Sequence, residues 1–174
     1  TMNRSHHPRS PLRVALAGFG VVGQGVYDRL VEDRDRFTVV GIACRDPDRH
    51  IRNGAPAALV TTDAEGLPAY DILVEAIGGV APADRIVLGA LSRGADVVSA
   101  NKTLVSRRFA ELHEAAERAN AKLLFSAAVG GGVPMLEAAG EAARRGAVYK
   151  LEAVVNGTTN FVLDRIGAGI SVAD

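Results

Sequence analysis

The sequence contains a single cysteine, Cys44, no tryptophan, and only 5% aromatic residues. One thiol excludes an intrachain disulfide and a cysteine-based zinc site, which suits a reducing compartment and predicts a cytoplasmic protein. No apolar run approaches the ~18 residues of a membrane span. The polar stretch from Thr1 to Arg9 lacks the apolar centre of a signal peptide. Neither sign of charge is in excess: 20 basic and 20 acidic residues give a formal net charge of zero. Nothing therefore marks the chain for nucleic acid or for an anionic membrane surface. Lysine is scarce, at Lys102, Lys122 and Lys150 alone, so a lysine in a special place stands out.

What is present is an alternation of strand-like and helix-like segments. Leu12 to Ala17 reads as a first strand, followed by a helix with Val22, Val26 and Leu30 on one stripe. Phe37 to Cys44 and Asp71 to Ile77 are near-continuous apolar runs, as expected of parallel strands covered on both faces. Weaker strands are read at Ala58 to Thr62, Asp96 to Ser99 and Lys122 to Phe125. A helix opened by Pro82 and another carrying Phe109, Leu112, Ala116 and Ala119 lie between the last of these. The alternation predicts an α/β fold, a doubly wound parallel Rossmann sheet.

The pattern changes after Pro134. A helix to Arg145 stops at Gly146, and Val148 to Val155 alternates apolar with charged residues, as a half-exposed strand would. We expect a disordered arm over 1–11, a dinucleotide-binding domain over 12–146, and over 147–174 the start of a second α+β domain. Ser171 to Asp174 has the spacing of a helix-opening capping box, which suggests a chain cut from a longer protein.

Gly18-x-Gly20-x-x-Gly23 follows a predicted strand and opens a predicted helix. In that context Gly18 permits a tight turn, Gly20 lets backbone approach a pyrophosphate, and Gly23 allows close helix–strand packing. Arg45, just past the second strand, sits where the cofactor's ribose is read. Its guanidinium would pair with a 2′-phosphate and favour NADP over NAD, unless it is merely solvated or Asp46 takes the ribose. Lys102 follows the fifth strand, at the edge where open α/β sheets bind ligands. Val129 to Pro134 holds three glycines whose free carbonyls could ligate a hard cation or simply form a flexible connection. Asn156 to Asn160 could bind a small polar substrate or only build a turn. His50 and His113 have no evident partner.

Five stretches in order resemble homoserine dehydrogenase: VALAGFGVVGQGV from Val14, VEAIGG from Val74, ANK from Ala100, FSAAVGGGVP from Phe125, and NGTTN from Asn156. The resemblance implies an enzyme interconverting L-homoserine and L-aspartate-4-semialdehyde with NADP or NAD, on the way to threonine and methionine. It implies that Gly18, Phe19, Gly20, Val21, Val22, Gly23, Arg45, Ile77, Gly78 and Ser99 surround the cofactor. Lys102 would contact cofactor and substrate and take part in proton transfer, and Asn156, Gly157 and Thr158 would border the substrate. The glycine loop is similar to the family's sodium site, with Val129, Gly131 and Val133 as carbonyl ligands. Ser126 stands where many relatives have Glu, which weakens that expectation. The family's acidic substrate-binding residues and second lysine would lie beyond Asp174, so the piece should bind cofactor better than it turns over substrate. A homodimer is implied for the full-length form. Two other readings stay open, another NAD(P)-dependent amino-acid dehydrogenase and a catalytically silent nucleotide-binding module.

Overall fold

A computed structural model describes residues 10–150, 152 and 157–169. The chain divides between Leu124 and Phe125 into two compact units. The expected domain limit at 146/147 falls inside the second.

The first unit is built on six parallel strands: β1 (Leu12–Ala17), β2 (Phe37–Ala43), β3 (Val60–Thr61), β4 (Ile72–Glu75), β5 (Asp96–Ser99) and β6 (Leu123–Leu124). Their spatial order is β3-β2-β1-β4-β5-β6. The chain winds outward from β1 in one direction and then in the other, so β1 and β4 flank a topological switch point. Helices α1 (Val21–Glu32), α2 (Pro47–Arg52), α3 (Ala83–Ser92) and α4 (Lys102–Arg118) supply the crossovers.

Alternation along the strands divides the core in two. Val14 and Leu16 of β1, with Ile42, Val74 and Phe19, pack with Val26, Tyr27 and Leu30 of α1. Ala15 and Ala17 face the other way, with Leu73 and Val97, and meet Val87 and Leu91 of α3 and Leu104 and Leu112 of α4. Burying one such leucine or valine stabilises the fold by about 1.5–3 kcal/mol. At the amino edge of the sheet, Asp71 accepts the Arg13 backbone N–H at 2.8 Å and its guanidinium at 2.9 and 3.3 Å. Hydrogen bonding from the guanidinium holds the Asp71 carboxyl below the usual carboxylate range.

Several expectations need correction. Val22 is 53% exposed, so the α1 stripe runs through Val26, Tyr27 and Leu30 instead; the first turn stands at the carboxyl edge, beyond the core. The fourth strand stops at Glu75 because the Ile77 N–H turns to the Glu75 carboxylate rather than to a neighbouring strand. The sixth strand is only Leu123–Leu124. Phe109 is exposed, because Arg108 leaves helical geometry (φ −125°, ψ 16°) and the buried positions of α4 are Leu104, Val105, Leu112 and Ala116. The short α2 was not expected at all. Asp46 caps it by accepting the Arg49 N–H at 3.0 Å, and Pro47 starts it.

Among its described residues the second unit holds a 3₁₀ turn (Ser126–Ala128), α5 (Met135–Arg145) and α6 (Gly157–Gly167). The strand expected at Val148 to Val155 is not formed at Val148–Lys150 or Glu152, and its other residues lie outside the described ones. A strand needs a neighbour for its backbone groups, and the described residues of this unit contain no strand to pair with. Most of the 1–11 arm and the Ser171–Asp174 capping box also lie outside the described residues.

Candidate functional site

The carboxyl edge of the sheet gathers the residues of interest. Gly18 leaves β1 at φ +101°, its N–H bonded to the Ala43 carbonyl at 2.8 Å. Phe19 turns into the core, edge-on to Tyr27 at 5.7 Å and to His50 at 5.4 Å. His50 therefore has an aromatic neighbour after all. Gly20 is the cap of α1 (φ −76°, ψ −162°), and a side chain there would meet nothing within 4 Å. The Gln24 N–H is bonded to the Gly20 carbonyl at 2.9 Å. The N–H groups of Val21, Val22 and Gly23 come before that bond and have no helical partner. Val21 is 91% and Val22 53% exposed, so this end of the helix faces solvent, with the positive end of the helix dipole directed outward. Gly23 is buried, and a Cβ there would collide with the Gly18 carbonyl oxygen.

Arg45 and Asp46 follow β2 at the same edge, both exposed. The Asp46 side chain is already engaged as the cap of α2. Burial pushes the neighbouring Cys44 thiol up, which favours the thiol over the nucleophilic thiolate.

Beyond β1, register brings Ala17, Glu75 and Ser99 side by side at the ends of β1, β4 and β5. Ser99, expected near the cofactor, is fully buried; its hydroxyl meets Glu75 Oε2 at 2.6 Å. Ile77 and Gly78 form the loop after β4, with Gly78 at φ +83° and open on its Cβ side. Lys102, expected at this edge after the fifth strand, is the first residue of α4. Asn101 caps that helix: Oδ1 accepts the Leu104 N–H at 3.0 Å, while Nδ2 donates to Glu75 Oε1 at 3.2 Å and to the Gly79 carbonyl at 2.6 Å. Lys102 is thereby held, exposed, at a helix N-terminus, where a cation and a helix dipole together favour an anionic group.

Glu75 and Asn101 escaped the reading of the sequence. The available signal was an acid closing an otherwise apolar run, Ile72-Leu73-Val74-Glu75, since an unpaired acid is seldom placed in a buried strand. His113 also has partners: it stacks on Phe109 at 5.5 Å and lies 3.4 Å from Glu117.

In the second unit, Gly130 and Gly131 adopt φ +86° and +62°. The Val133 carbonyl accepts the Met135 N–H at 2.8 Å. Ser126 donates its hydroxyl to Glu137, which lowers the Glu137 carboxyl below its usual range. Asn156 lies outside the described residues, whereas Gly157 and Thr158 form the first turn of α6 rather than a turn before it.

The chain's relatives agree with this architecture. The family model for the NAD-binding domain of homoserine dehydrogenase matches residues 18–126. Over the whole chain, 38% of residues are identical to the homoserine dehydrogenase of Corynebacterium glutamicum, of which the match covers 42%. That of Mycobacterium tuberculosis is 37% identical over 94% of this chain and 40% of its own length. The crystal structure of a homoserine dehydrogenase from Thiobacillus denitrificans superposes with a TM-score of 0.77 at 34% identity, over 90% of this chain and 38% of that one. The chain thus spans about two fifths of the length of these relatives. With the glycine turn and the loops after β4 and β5 all inside the region that the family model matches, the chain belongs to the homoserine dehydrogenase family and carries its NAD-binding domain.

Proposed function

We propose that this chain is the cofactor-binding part of an oxidoreductase that interconverts L-homoserine and L-aspartate-4-semialdehyde, with NADP preferred over NAD. The observation that carries the reading is the meeting of two features at one sheet edge: the open amides of α1 and Lys102 at the head of α4.

The residues present fit a dinucleotide. Gly20 leaves room for a pyrophosphate against the N–H groups of Val21, Val22 and Gly23. A nicotinamide held there would supply the acceptor for the hydride from C4 of homoserine. Lys102 Nζ would accept the proton of the substrate hydroxyl as the hydride leaves C4, so that an aldehyde is formed. Phe19 braces the turn from the core side, and Ile77, Gly78 and Ser99 set the floor of the second half of the site.

The preference for NADP rests on Arg45 and Asp46. Asp46 already gives one carboxylate oxygen to the α2 cap, which makes it the less available of the two for a ribose hydroxyl. Arg45 is left to meet the ribose, and a guanidinium there selects a 2′-phosphate. Arg45→Ala is expected to weaken NADP binding about tenfold while NAD changes less than about twofold. Isothermal titration of both cofactors checks this, and equal losses for the two would sink the preference.

Val129, Gly131 and Val133 offer carbonyls to a sodium ion, the hard cation such oxygens suit. Glu137, held by Ser126, returns to that loop the negative charge which Ser126 itself lacks. Gly157 and Thr158, with Asn156, would border the substrate. The limits 12–146 and 147–174 are retained for the cofactor domain and the start of the substrate domain, and the complete protein would be a cytoplasmic homodimer. No helix among the described residues is long and apolar enough to cross a membrane.

Oxidation of homoserine, but not of aspartate, by the complete protein tests the reaction. In that assay Lys102→Ala should lower kcat/KM at least about tenfold, roughly 1.4 kcal/mol of transition-state stabilisation. Kinetics like those of the wild type would remove Lys102 from the proton transfer.

A further inference from the structure

Glu75 is fully buried at the end of a strand that is otherwise apolar. A carboxyl group is costly to bury where a leucine would fill the same volume, unless its oxygens find donors. Here all the donors come from two short segments. Oε1 accepts the Ile77 N–H at 2.8 Å and Asn101 Nδ2 at 3.2 Å. Oε2 accepts the Ser99 hydroxyl at 2.6 Å, and that hydroxyl accepts the Asn101 N–H at 3.1 Å. Asn101 closes the circuit by donating to the Gly79 carbonyl. One side chain therefore joins the loop after β4 to the turn that starts α4.

Those two segments lie on one side of the switch point. In this strand order each half of the sheet takes one half of a dinucleotide. Arg45, at the end of β2, belongs to the adenosine half. The loops after β4 and β5 are left to the nicotinamide half, where Gly78 and Gly79, both at positive φ, present open backbone. We propose that Glu75 is a positioning residue that fixes the nicotinamide half of the cofactor site, by clamping Ile77–Gly79 to Ser99–Asn101. The proposal rests on the NADP-dependent reading above.

Glu75→Gln keeps the volume but replaces one accepting oxygen with a donor. Either Ile77 and Asn101 or Ser99 then lose their acceptor, and the clamp loosens without emptying the core. Ser99→Ala is a milder variant that removes the two hydrogen bonds of the Ser99 hydroxyl and keeps those of Glu75 Oε1. Both variants and the wild-type chain are titrated with NADPH and with adenosine 2′,5′-bisphosphate, which occupies the adenosine half alone. Glu75→Gln should raise the NADPH Kd about tenfold and Ser99→Ala about threefold, with the bisphosphate Kd unchanged within about twofold. A buried group that serves stability alone would weaken both ligands alike, or neither, and either result overturns the proposal. If Glu75→Gln fails to fold, Ser99→Ala decides by the same comparison. A wild-type chain that binds neither ligand overturns the NADP reading itself and this proposal with it.

Discussion

Gly18→Ala should unfold the chain about 10 °C earlier than the wild type and abolish NADP(H) binding. Gly18 adopts φ +101°, a conformation that L side chains rarely adopt, and left-handed backbone costs about 1–2 kcal/mol for a residue with a Cβ. The Cβ would also lie 2.5 Å from the Ala76 carbonyl oxygen, 2.6 Å from its carbon and 2.9 Å from the Ile77 nitrogen. These are backbone atoms of the chain leaving β4, so no rotamer change relieves the overlap. Ala76 is itself tied to β1 by its N–H to the Ala17 carbonyl at 2.8 Å. Overpacking of this kind adds about 1–3 kcal/mol, for a total of roughly 3 kcal/mol. At about 2–4 °C per kcal/mol for a domain of this size, that amounts to roughly 10 °C. The strain falls on the turn that carries the α1 amides and on the loop that carries Ile77, so both halves of the cofactor site move. Thermal melts followed by circular dichroism, with a parallel NADPH titration, check both effects. A variant that melts within about 2 °C of the wild type would show that the turn relaxes freely and that Gly18 is not structurally required.

That turn was legible because everything that defines it is local. A strand period, three glycines and a helix period lie within about 20 residues, and the apolar run that forms β2 follows soon after. The doubly wound sheet was legible for a related reason: parallel strands covered on both faces are apolar without interruption. The helix α2 was hidden, since six residues with Pro47 and several charges show no apolar stripe. Phe109 was misplaced because the break at Arg108 shifts the phase of α4, and nothing local announces it. The clamp of Glu75, Ser99 and Asn101 was hidden for a deeper reason. Its hydrogen bonds join residues 24 and 26 positions apart, brought together only by the register of β4 against β5. Motif reading singled out the glycines, Ser99 and Lys102, and gave no role to Glu75 and Asn101, which tie the two segments together.

Gly20 separates cofactor binding from folding, because stability and affinity should move in opposite directions there. The residue caps α1 in extended geometry, with no side chain to accept the free N–H groups of the first turn. The first turn of α1 also lacks an acidic residue. Asp is among the best residues for this position, and an added negative charge at a helix N-terminus contributes about 0.3–1 kcal/mol. A Cβ at Gly20 meets nothing within 4 Å, so the fold raises no steric objection. Gly20→Asp should therefore melt at the same temperature as the wild type or a few degrees higher. The same carboxylate would fill the space in which a pyrophosphate approaches Val21, Val22 and Gly23, and would bond the donors the pyrophosphate needs. Exclusion, repulsion and competition act together, and NADP(H) affinity should fall at least about a hundredfold, roughly 2.7 kcal/mol. Urea unfolding with and without 1 mM NADPH reads both effects in one experiment: cofactor should stabilise the wild type by mass action and leave Gly20→Asp unmoved. If cofactor stabilises the variant as much as the wild type, the pyrophosphate does not sit on the α1 N-terminus, and the glycine turn serves packing alone.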